Sequence, residues 1–191
     1  MRAPLPPADL ADLGLCPIRM RHLVGVFQAD VERGRLPGAV LVLARHGRIA
    51  LMESVGQLDP ARDAAMSLDA IFRIYSMTKP VTSVAALMLV EEGRLQLDAP
   101  VATYLPAFGG LQRVEGGTVG SPVLVPAQRP LTVRHLLTHT AGFATGGDDI
   151  RVASELLQRQ APEAAGNLVG YAERVARAPL ATEPGTRFRY D

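Results

Sequence analysis

The spacing of hydrophobic residues predicts a helix near the start of the chain. Over residues 17–33, apolar side chains recur at the three- and four-residue intervals of one helical face, and the opposite face is polar. The apolar face consists of Met20, Leu23, Val24, Phe27 and Val31. Gly34 and the pair Pro37-Gly38 follow it and are typical of a helix end. The proline-rich residues 1–16 are expected to form a loose leader.

The next apolar pattern is short and continuous, which favours strands. Residues 39–45 and 48–55 predict an antiparallel pair, because Gly47 can take the positive φ that a two-residue turn at His46-Gly47 needs. Both phases of the first strand are apolar, which predicts that both of its faces are covered. Its apolar residues include Val40, Leu41, Val42 and Leu43. The polar residues 56–70 predict a connector.

The rest of the chain is mostly helical in pattern. A long helix is predicted over residues 76–92, and because it is apolar around nearly its whole circumference it is expected to be buried. The glycine- and proline-rich residues 109–130 predict a surface loop or an irregular hairpin. Thr132 is the predicted N-cap of a short helix that stops at Gly142. Two further helices are predicted over residues 149–160 and 164–178.

This order of elements predicts an α/β (α+β) protein with three segments. Residues 1–16 are the leader, residues 17–60 hold the first helix and two sheet strands, and residues 61–191 form a mostly helical subdomain. Two strands alone make a poor sheet, so the sheet is expected to need strands that this sequence does not contain.

Lys79 is the only lysine among 20 basic residues, and the other 19 are arginines. It lies three positions after Ser76, which places the hydroxyl and the amine on one helical face. Pro80 requires the helix to begin close to both residues, because proline has no N–H and is tolerated only in the first turn. One interpretation of the pair is a serine N-cap beside a solvated lysine.

The other interpretation is a nucleophile beside its base. A serine hydroxyl is a weak nucleophile and needs an adjacent base. Lysine can be that base where desolvation or the positive end of a helix disfavours the ammonium, whereas arginine stays charged. A chain that otherwise uses arginine needs a lysine only where the group must lose its proton. The pair therefore predicts catalysis.

The composition narrows the partners and the location. The net charge is +1 without a basic run, which disfavours nucleic acid as a partner. No stretch reaches the roughly 20 apolar residues of a membrane span, and no secretory signal is recognisable, so the expected location is cytoplasmic. The four histidines are scattered and Cys16 is alone, so neither a metal site nor a cofactor is predicted. Asp148 and Asp149 favour a helix N-cap over a ligand pair.

Four blocks of the sequence carry a family resemblance. They are "PGAVLVLARHGRIA", "FRIYSMTKPVTSVAALMLVEEGRLQLDAPVATYLPAF", "LTVRHLLTHTAGF" and "EPGTRFRY". With these blocks the chain resembles the serine β-lactamase and penicillin-binding-protein superfamily, on the branch of class C β-lactamases, D-alanyl-D-alanine carboxypeptidases and family VIII carboxylesterases. The resemblance implies a β-lactamase/transpeptidase-like fold, in which helices flank an antiparallel sheet beside a mostly helical subdomain.

The resemblance also implies the roles of single residues. Ser76 would be the acyl-accepting nucleophile, Lys79 its basic partner, and Tyr190 the tyrosine that assists proton transfer to and from the serine and the leaving group. The backbone N–H of Ser76 would supply one oxyanion-hole donor. His139 falls in a block where the histidine looks structural. Asp191 departs from the small residue that is common after the tyrosine.

The family's third motif (Lys-Thr-Gly or His-x-Gly) and its C-terminal sheet strands are expected beyond Asp191. The chain is therefore expected to be the N-terminal half of a longer enzyme, which alone would fold poorly and hydrolyse little. The implied function is a serine hydrolase acting on a small carboxylic ester, or on an amide. The alternatives are a β-lactamase or D-alanyl-D-alanine carboxypeptidase and, in another class, a non-catalytic homologue or inactive fragment. The oligomeric state is left open.

Overall fold

A computed structural model describes residues 5–143 and 146–190 of the chain, with the side chain of Asp148 excepted. The chain has a mixed α/β architecture and forms two compact units, Met1–Ile74 and Tyr75–Asp191. The predicted boundary at residues 60 and 61 stays a prediction. The helices and strands are α1 (Pro17–Glu32), β1 (Gly38–Arg45), β2 (Arg48–Asp59), β3 (Ala64–Ala65), α2 (Thr78–Glu91), β4 (Gln112–Thr118), β5 (Ser121–Pro126), α3 (Val133–Leu137), α4 (Arg151–Arg159) and α5 (Leu168–Ala176).

The first unit is built on an antiparallel hairpin. β1 pairs with β2 from Gly38 opposite Gly56 to Arg45 opposite Arg48. The φ angles of His46 and Gly47 are 52° and 71°, and two positive values in succession are what a tight hairpin turn of this kind requires. The predicted strand pair and turn are confirmed. β2 is longer than predicted, because residues 56–59 continue the strand and pair with β3 instead of forming a polar connector.

The sheet of the first unit is covered on one face, so the prediction that both faces are covered is wrong. Leu41 is buried on β1 and Val55 is buried on β2, whereas Val42 is 56% exposed. Helix α1 packs against β1 and β2, and a single helix can cover only one side of a sheet. Both faces of β1 carry apolar side chains, but the described residues of this unit cover only one of the two faces.

The proline-rich start of the chain has more order than the sequence indicated. The backbone of Ile49 exchanges hydrogen bonds with this segment, since its N–H donates to the Pro6 carbonyl at 2.9 Å and its carbonyl accepts from Ala8 at 3.0 Å. Leu13 is buried, and the Arg45 guanidinium donates to the Leu13 carbonyl at 2.7 Å. These contacts attach residues 6–13 to the sheet of the first unit.

The second unit is held together by one main apolar cluster. Leu180 has no exposed surface, and Phe108 and Phe143 meet edge to face with ring centroids 6.3 Å apart. The buried members of the cluster are Val101, Leu111, Leu131, Val133, Ala141, Phe143 and Leu180. Since residues 131–143 and 178–184 both contribute to the cluster, it fixes two segments that lead towards the site described below.

Two smaller elements of the second unit agree with the sequence. β4 and β5 form the irregular hairpin expected within residues 109–130, with a register shift between Val114 and Gly116. Thr132 caps α3 as predicted, in a reciprocal capping box with His135, but the helix ends at Leu137 and does not continue to Gly142. Leu180 then adds a parallel bridge to β4 through Arg113.

Helix α2 agrees with the sequence in position but not in burial. It begins at Thr78, directly after a 3₁₀ turn at Tyr75–Met77, and ends at Glu91. The structure describes every residue of α2, and none of them is buried. The prediction of a buried helix is therefore wrong here, because an apolar circumference requires a cover on every side and the described elements leave part of it open. None of the described helices is both long and apolar enough to cross a membrane.

Candidate active site

Ser76 lies in the tight 3₁₀ turn that precedes α2. The residue before it, Tyr75, has a φ of 46°, which is rare for a bulky side chain and marks a constrained backbone. No pattern in the sequence predicts this conformation. Pro80 is the third residue of α2, where a missing N–H breaks no helical hydrogen bond. The turn therefore presents the Ser76 hydroxyl at the positive end of the helix.

Lys79 lies in the first turn of α2, three positions after Ser76. The Lys79 side chain is half-buried, while Ser76 is exposed. Its ammonium nitrogen, Nζ, lies 4.7 Å from the centroid of the Tyr190 ring, which is within the range of a cation–π contact.

Tyr190 lies near the N-terminal end of α2, although it is far from α2 along the sequence. Backbone hydrogen bonds tie the segment before it to residues 139–142. Arg189 N–H donates to the His139 carbonyl at 2.8 Å, and Gly185 N–H donates to the Thr140 carbonyl at 2.8 Å. Ala181 N–H donates to the Gly142 carbonyl at 2.7 Å. Three backbone carbonyls within residues 139–142 therefore accept hydrogen bonds from residues 181–189, and these bonds fix the segment that leads to Tyr190.

The structure brings the three predicted site residues together. Hydrogen bonding with the Ser76 side chain, and secondarily with Lys79, lowers the pKa of Tyr190 below its usual value. The positive charge of Lys79 acts in the same direction, because it stabilises a phenolate. Tyr190 is 54% exposed, so the site is open to solvent. A hydroxyl, an amine and an acidified phenol within reach of one another can pass a proton among themselves.

His139 also belongs to this group of residues. Its ring lies 4.6 Å from the Tyr190 ring, centroid to centroid, with an interplanar angle of 33°. It meets Phe188 at 5.8 Å in an edge-to-face arrangement. The sequence placed His139 in a block shared with the family and gave it no role beside the tyrosine. Only its position in that block could have pointed to the site.

A cavity of about 460 Å³ opens beside Lys79. One side of it is formed by the first turns of α2, which contribute Thr78, Lys79 and Thr82. The other side is formed by α3 and the residues that follow it. These are Leu136, Leu137, His139, Ala141 and Phe143. A mostly apolar space next to an amine suits an uncharged organic group.

Asp149 does not act as the sequence suggested, and the side chain of Asp148 lies outside the described residues. Asp149 does not cap α4, whose N-cap is Ile150, but pairs with Arg189 at 2.7 Å and with Arg187 at 3.2 Å. Hydrogen bonding with Arg189 and the charges of both arginines lower the pKa of Asp149. Asp191 lies outside the described residues. Among residues 5–143 and 146–190, no group of three His, Cys, Asp or Glu side chains could hold a metal ion.

Comparison with known proteins gives the same family. The sequence profile of the Beta-lactamase family matches residues 23–191. Esterase EstB of Burkholderia gladioli is 35% identical over 175 residues, which cover 88% of this chain and 41% of EstB. Lovastatin esterase of Penicillium rubens is 30% identical over 168 residues, which cover 86% of this chain and 42% of that esterase.

A solved structure supports the fold assignment. EstCE1, described as a hydrolase with promiscuous acyltransferase activity, matches with a TM-score of 0.72 and 30% identity, over 90% of this chain and 43% of EstCE1. The chain belongs to the Beta-lactamase family and has the β-lactamase/transpeptidase-like fold of these relatives. It spans about two fifths of the length of the relatives it matches, between 41% and 43% for these three.

Proposed function

We propose that the protein is a serine hydrolase that forms an acyl-enzyme on Ser76 from a small carboxylic ester. The observation that carries this proposal is the meeting of Ser76, Lys79 and Tyr190, which come from distant parts of the sequence. In the non-catalytic alternative, a serine N-cap beside a solvated lysine has no need of a tyrosine whose pKa is lowered by both. That same feature is useful to a proton relay.

In the acylation step, the Ser76 oxygen forms a bond to the ester carbonyl carbon, and its proton passes to the Lys79 amine. The electron pair of the carbonyl bond moves to the carbonyl oxygen. The Ser76 N–H, at the start of α2, donates to this oxyanion and the helix dipole favours its charge. Lysine suits this step because it can exist as a neutral amine, which arginine cannot.

The tetrahedral intermediate then expels the alcohol. The proton held by Lys79 returns through the Tyr190 hydroxyl to the leaving oxygen, so that the bond between that oxygen and the carbonyl carbon breaks without forming a free alkoxide. In the second half of the reaction, water takes the place of the alcohol and the same groups act in reverse. The products are a carboxylic acid and regenerated Ser76.

Two observations support an ester as the substrate. The cavity beside Lys79 is mostly apolar and is suited to the uncharged part of a small acyl or alcohol group. EstB and the lovastatin esterase are named as esterases. The β-lactamase and carboxypeptidase alternatives have no comparable support from the described residues.

Acyl transfer is a second candidate, because EstCE1 is described as having promiscuous acyltransferase activity. It uses the same acyl-enzyme and differs only in the acceptor, which is an alcohol instead of water. Adding a primary alcohol to the ester assay separates the two activities. A new ester product with unchanged release of the first alcohol would support transfer, and acid as the sole product would restrict the protein to hydrolysis.

The test is made on the full gene product that contains these residues. The wild type, Ser76→Ala and the control Ser121→Ala are assayed for hydrolysis of p-nitrophenyl butyrate and for labelling by a fluorophosphonate. We expect Ser76→Ala to lose the label and about a thousand-fold or more of its turnover. Ser121 lies exposed at the start of β5, so its variant should behave as the wild type.

Mass spectrometry identifies the labelled residue. A label on Ser76 agrees with the proposal. A label on another serine, or ester hydrolysis that survives in Ser76→Ala, would show that a different residue is the nucleophile. A folded wild-type protein that neither hydrolyses esters nor reacts with the fluorophosphonate would favour the non-catalytic alternative.

A further inference from the structure

The ring of Tyr190 is more than half exposed, so the few groups that contact it decide its direction in large part. Its backbone is fixed through Arg189, but a phenol can still rotate about two side-chain bonds. The imidazole of His139 lies against it, with ring centroids 4.6 Å apart and an interplanar angle of 33°. Phe188 meets the same imidazole edge to face at 5.8 Å, so the His139 ring contacts both aromatic rings of this segment.

The backbone of His139 adds a second connection to the same segment. Its φ is 54°, in the left-handed region that few residues other than glycine and asparagine adopt. This conformation follows the end of α3, and the His139 carbonyl accepts the Arg189 N–H at 2.8 Å. The residue therefore holds the chain next to Tyr190 through its carbonyl and contacts the phenol through its ring.

We propose that His139 is a positioning residue, whose imidazole ring orients the Tyr190 phenol so that the hydroxyl meets Ser76 and Lys79. This inference rests on the proposed function for its effect on catalysis, but not for its effect on Tyr190. Tilted and edge-to-face ring contacts favour particular ring orientations, so removing one ring frees the other to rotate. A catalytic group displaced by about 1 Å can lose on the order of 100-fold in rate.

Two variants separate the ring of His139 from its backbone. His139→Asn removes the ring but keeps a residue that tolerates a positive φ. His139→Phe keeps a flat ring but has less tolerance for that backbone conformation. If the ring orients Tyr190, the phenylalanine variant should retain most of the function and the asparagine variant should lose it. If only the backbone matters, the order of the two variants is reversed.

The first measurement is the titration of the Tyr190 phenol by ultraviolet absorbance, made on the full gene product. The chain has four tyrosines, so the signal of Tyr190 is taken as the difference from Tyr190→Phe. The phenol faces Ser76 in the turn before α2, Lys79 in the first turn of α2 and His139 after α3. We expect His139→Asn to raise the pKa of Tyr190 towards its ordinary value, and His139→Phe to leave it lowered.

The second measurement is ester hydrolysis as a function of pH. We expect His139→Asn to lower kcat about 10- to 100-fold, to change KM little and to shift the pH profile in the same direction as the phenol titration. His139→Phe should restore most of kcat. His22→Asn, an exposed histidine on α1, serves as the matched control for the substitution.

The outcomes distinguish this inference from the proposed function. An unchanged Tyr190 titration in His139→Asn overturns the inference, as does a His139→Phe variant that is as impaired as His139→Asn. If the titration shifts as expected but Ser76 is not labelled, the proposed function fails and the positioning of Tyr190 stands. Should His139→Asn not fold, the titration of His139→Phe decides, because loss of its lowered pKa also overturns the inference.

Discussion

Lys79 is the residue on which the proposed chemistry depends most directly, because it could act either as a fixed positive charge or as a base that exchanges a proton. It could hold a proton permanently and stabilise negative charge on the reacting groups, or it could take the proton of Ser76 and return it. The contact of Nζ with the Tyr190 ring at 4.7 Å is compatible with both roles. A substitution that keeps the charge but prevents proton exchange separates them.

We predict that Lys79→Arg lowers ester turnover by about 10²- to 10⁴-fold without unfolding the protein. Arginine preserves the charge but cannot accept a proton, and the loss of a positioned base has this typical cost. The measurement is kcat with p-nitrophenyl butyrate, together with thermal unfolding. The reverse exchange Arg94→Lys, at an exposed arginine beyond α2, is the control. Near-normal turnover in folded Lys79→Arg would mean that Lys79 acts only as a fixed charge.

The residues of the site differ in how far the sequence could reveal them. Ser76 and Lys79 could be predicted from their three-residue spacing, although Ser76 lies in the 3₁₀ turn before α2 and Lys79 in the first turn of α2. Tyr190 depended on the family resemblance, since its meeting with Ser76 requires the hydrogen bonds that connect residues 181–189 to residues 139–142. The ring contact of His139 and the positive φ of Tyr75 depend on three-dimensional packing, for which a single sequence has no periodic signal.

Helix α3 is the element that places His139. Its N-terminus is closed by a capping box in which Thr132 N–H donates to His135 Nδ1 at 3.2 Å and His135 N–H donates to the Thr132 hydroxyl at 3.3 Å. Nδ1 can accept only when the imidazole is neutral. Burial, followed by the charge of Arg129, lowers the pKa of His135, although Asp98 acts in the opposite direction. The cap and the ionisation of His135 are therefore linked.

We predict that this link makes stability depend on pH. Because the pKa of His135 is lower in the folded than in the unfolded state, its contribution to stability is present above the unfolded value and is lost as the pH falls through the folded one. We expect His135→Gln, which keeps an acceptor but does not titrate, to lose less stability than the wild type between about pH 7.5 and pH 5. Urea unfolding at each pH is the measurement.

The exposed His22 on α1 provides the control as His22→Gln. Its variant should keep the pH dependence of the wild type. A His135→Gln protein whose stability falls with pH as steeply as the wild type would show that the cap is not the source of the dependence.

The positions of the helices and strands were easier to predict than their burial. The hairpin of β1 and β2, the cap at Thr132 and the position of α2 follow from turn residues, caps and periodicity, all of which are local. What covers an element is not local. Val42 and α2 have the apolar pattern of covered positions, yet both are exposed, because the described residues bring no cover to them.

For the molecule as a whole, an exposed apolar surface of the second unit lies along α2. Four apolar residues at helical spacing form one exposed stripe along α2 and the turn before it. The stripe consists of Met77, Val81, Val84 and Met88, which are 71%, 64%, 58% and 56% exposed. A contiguous apolar stripe of this kind favours association in water. The sequence predicts that residues 1–191 alone fold poorly. The exposed stripe is one physical reason for this expectation, and a substitution in the stripe can test it.

We predict that Val84→Glu reduces self-association of the 191-residue chain without unfolding it. The charge interrupts the stripe, and a substitution at an exposed site changes the free energy of unfolding by only about 0.5 kcal/mol. We expect a larger monomer fraction in size-exclusion chromatography and weaker fluorescence of the apolar dye ANS. Gln96→Glu adds the same charge at an exposed polar position and should change neither. Unfolding of the chain by Val84→Glu would instead show that Val84 is buried in solution, and with it the stripe.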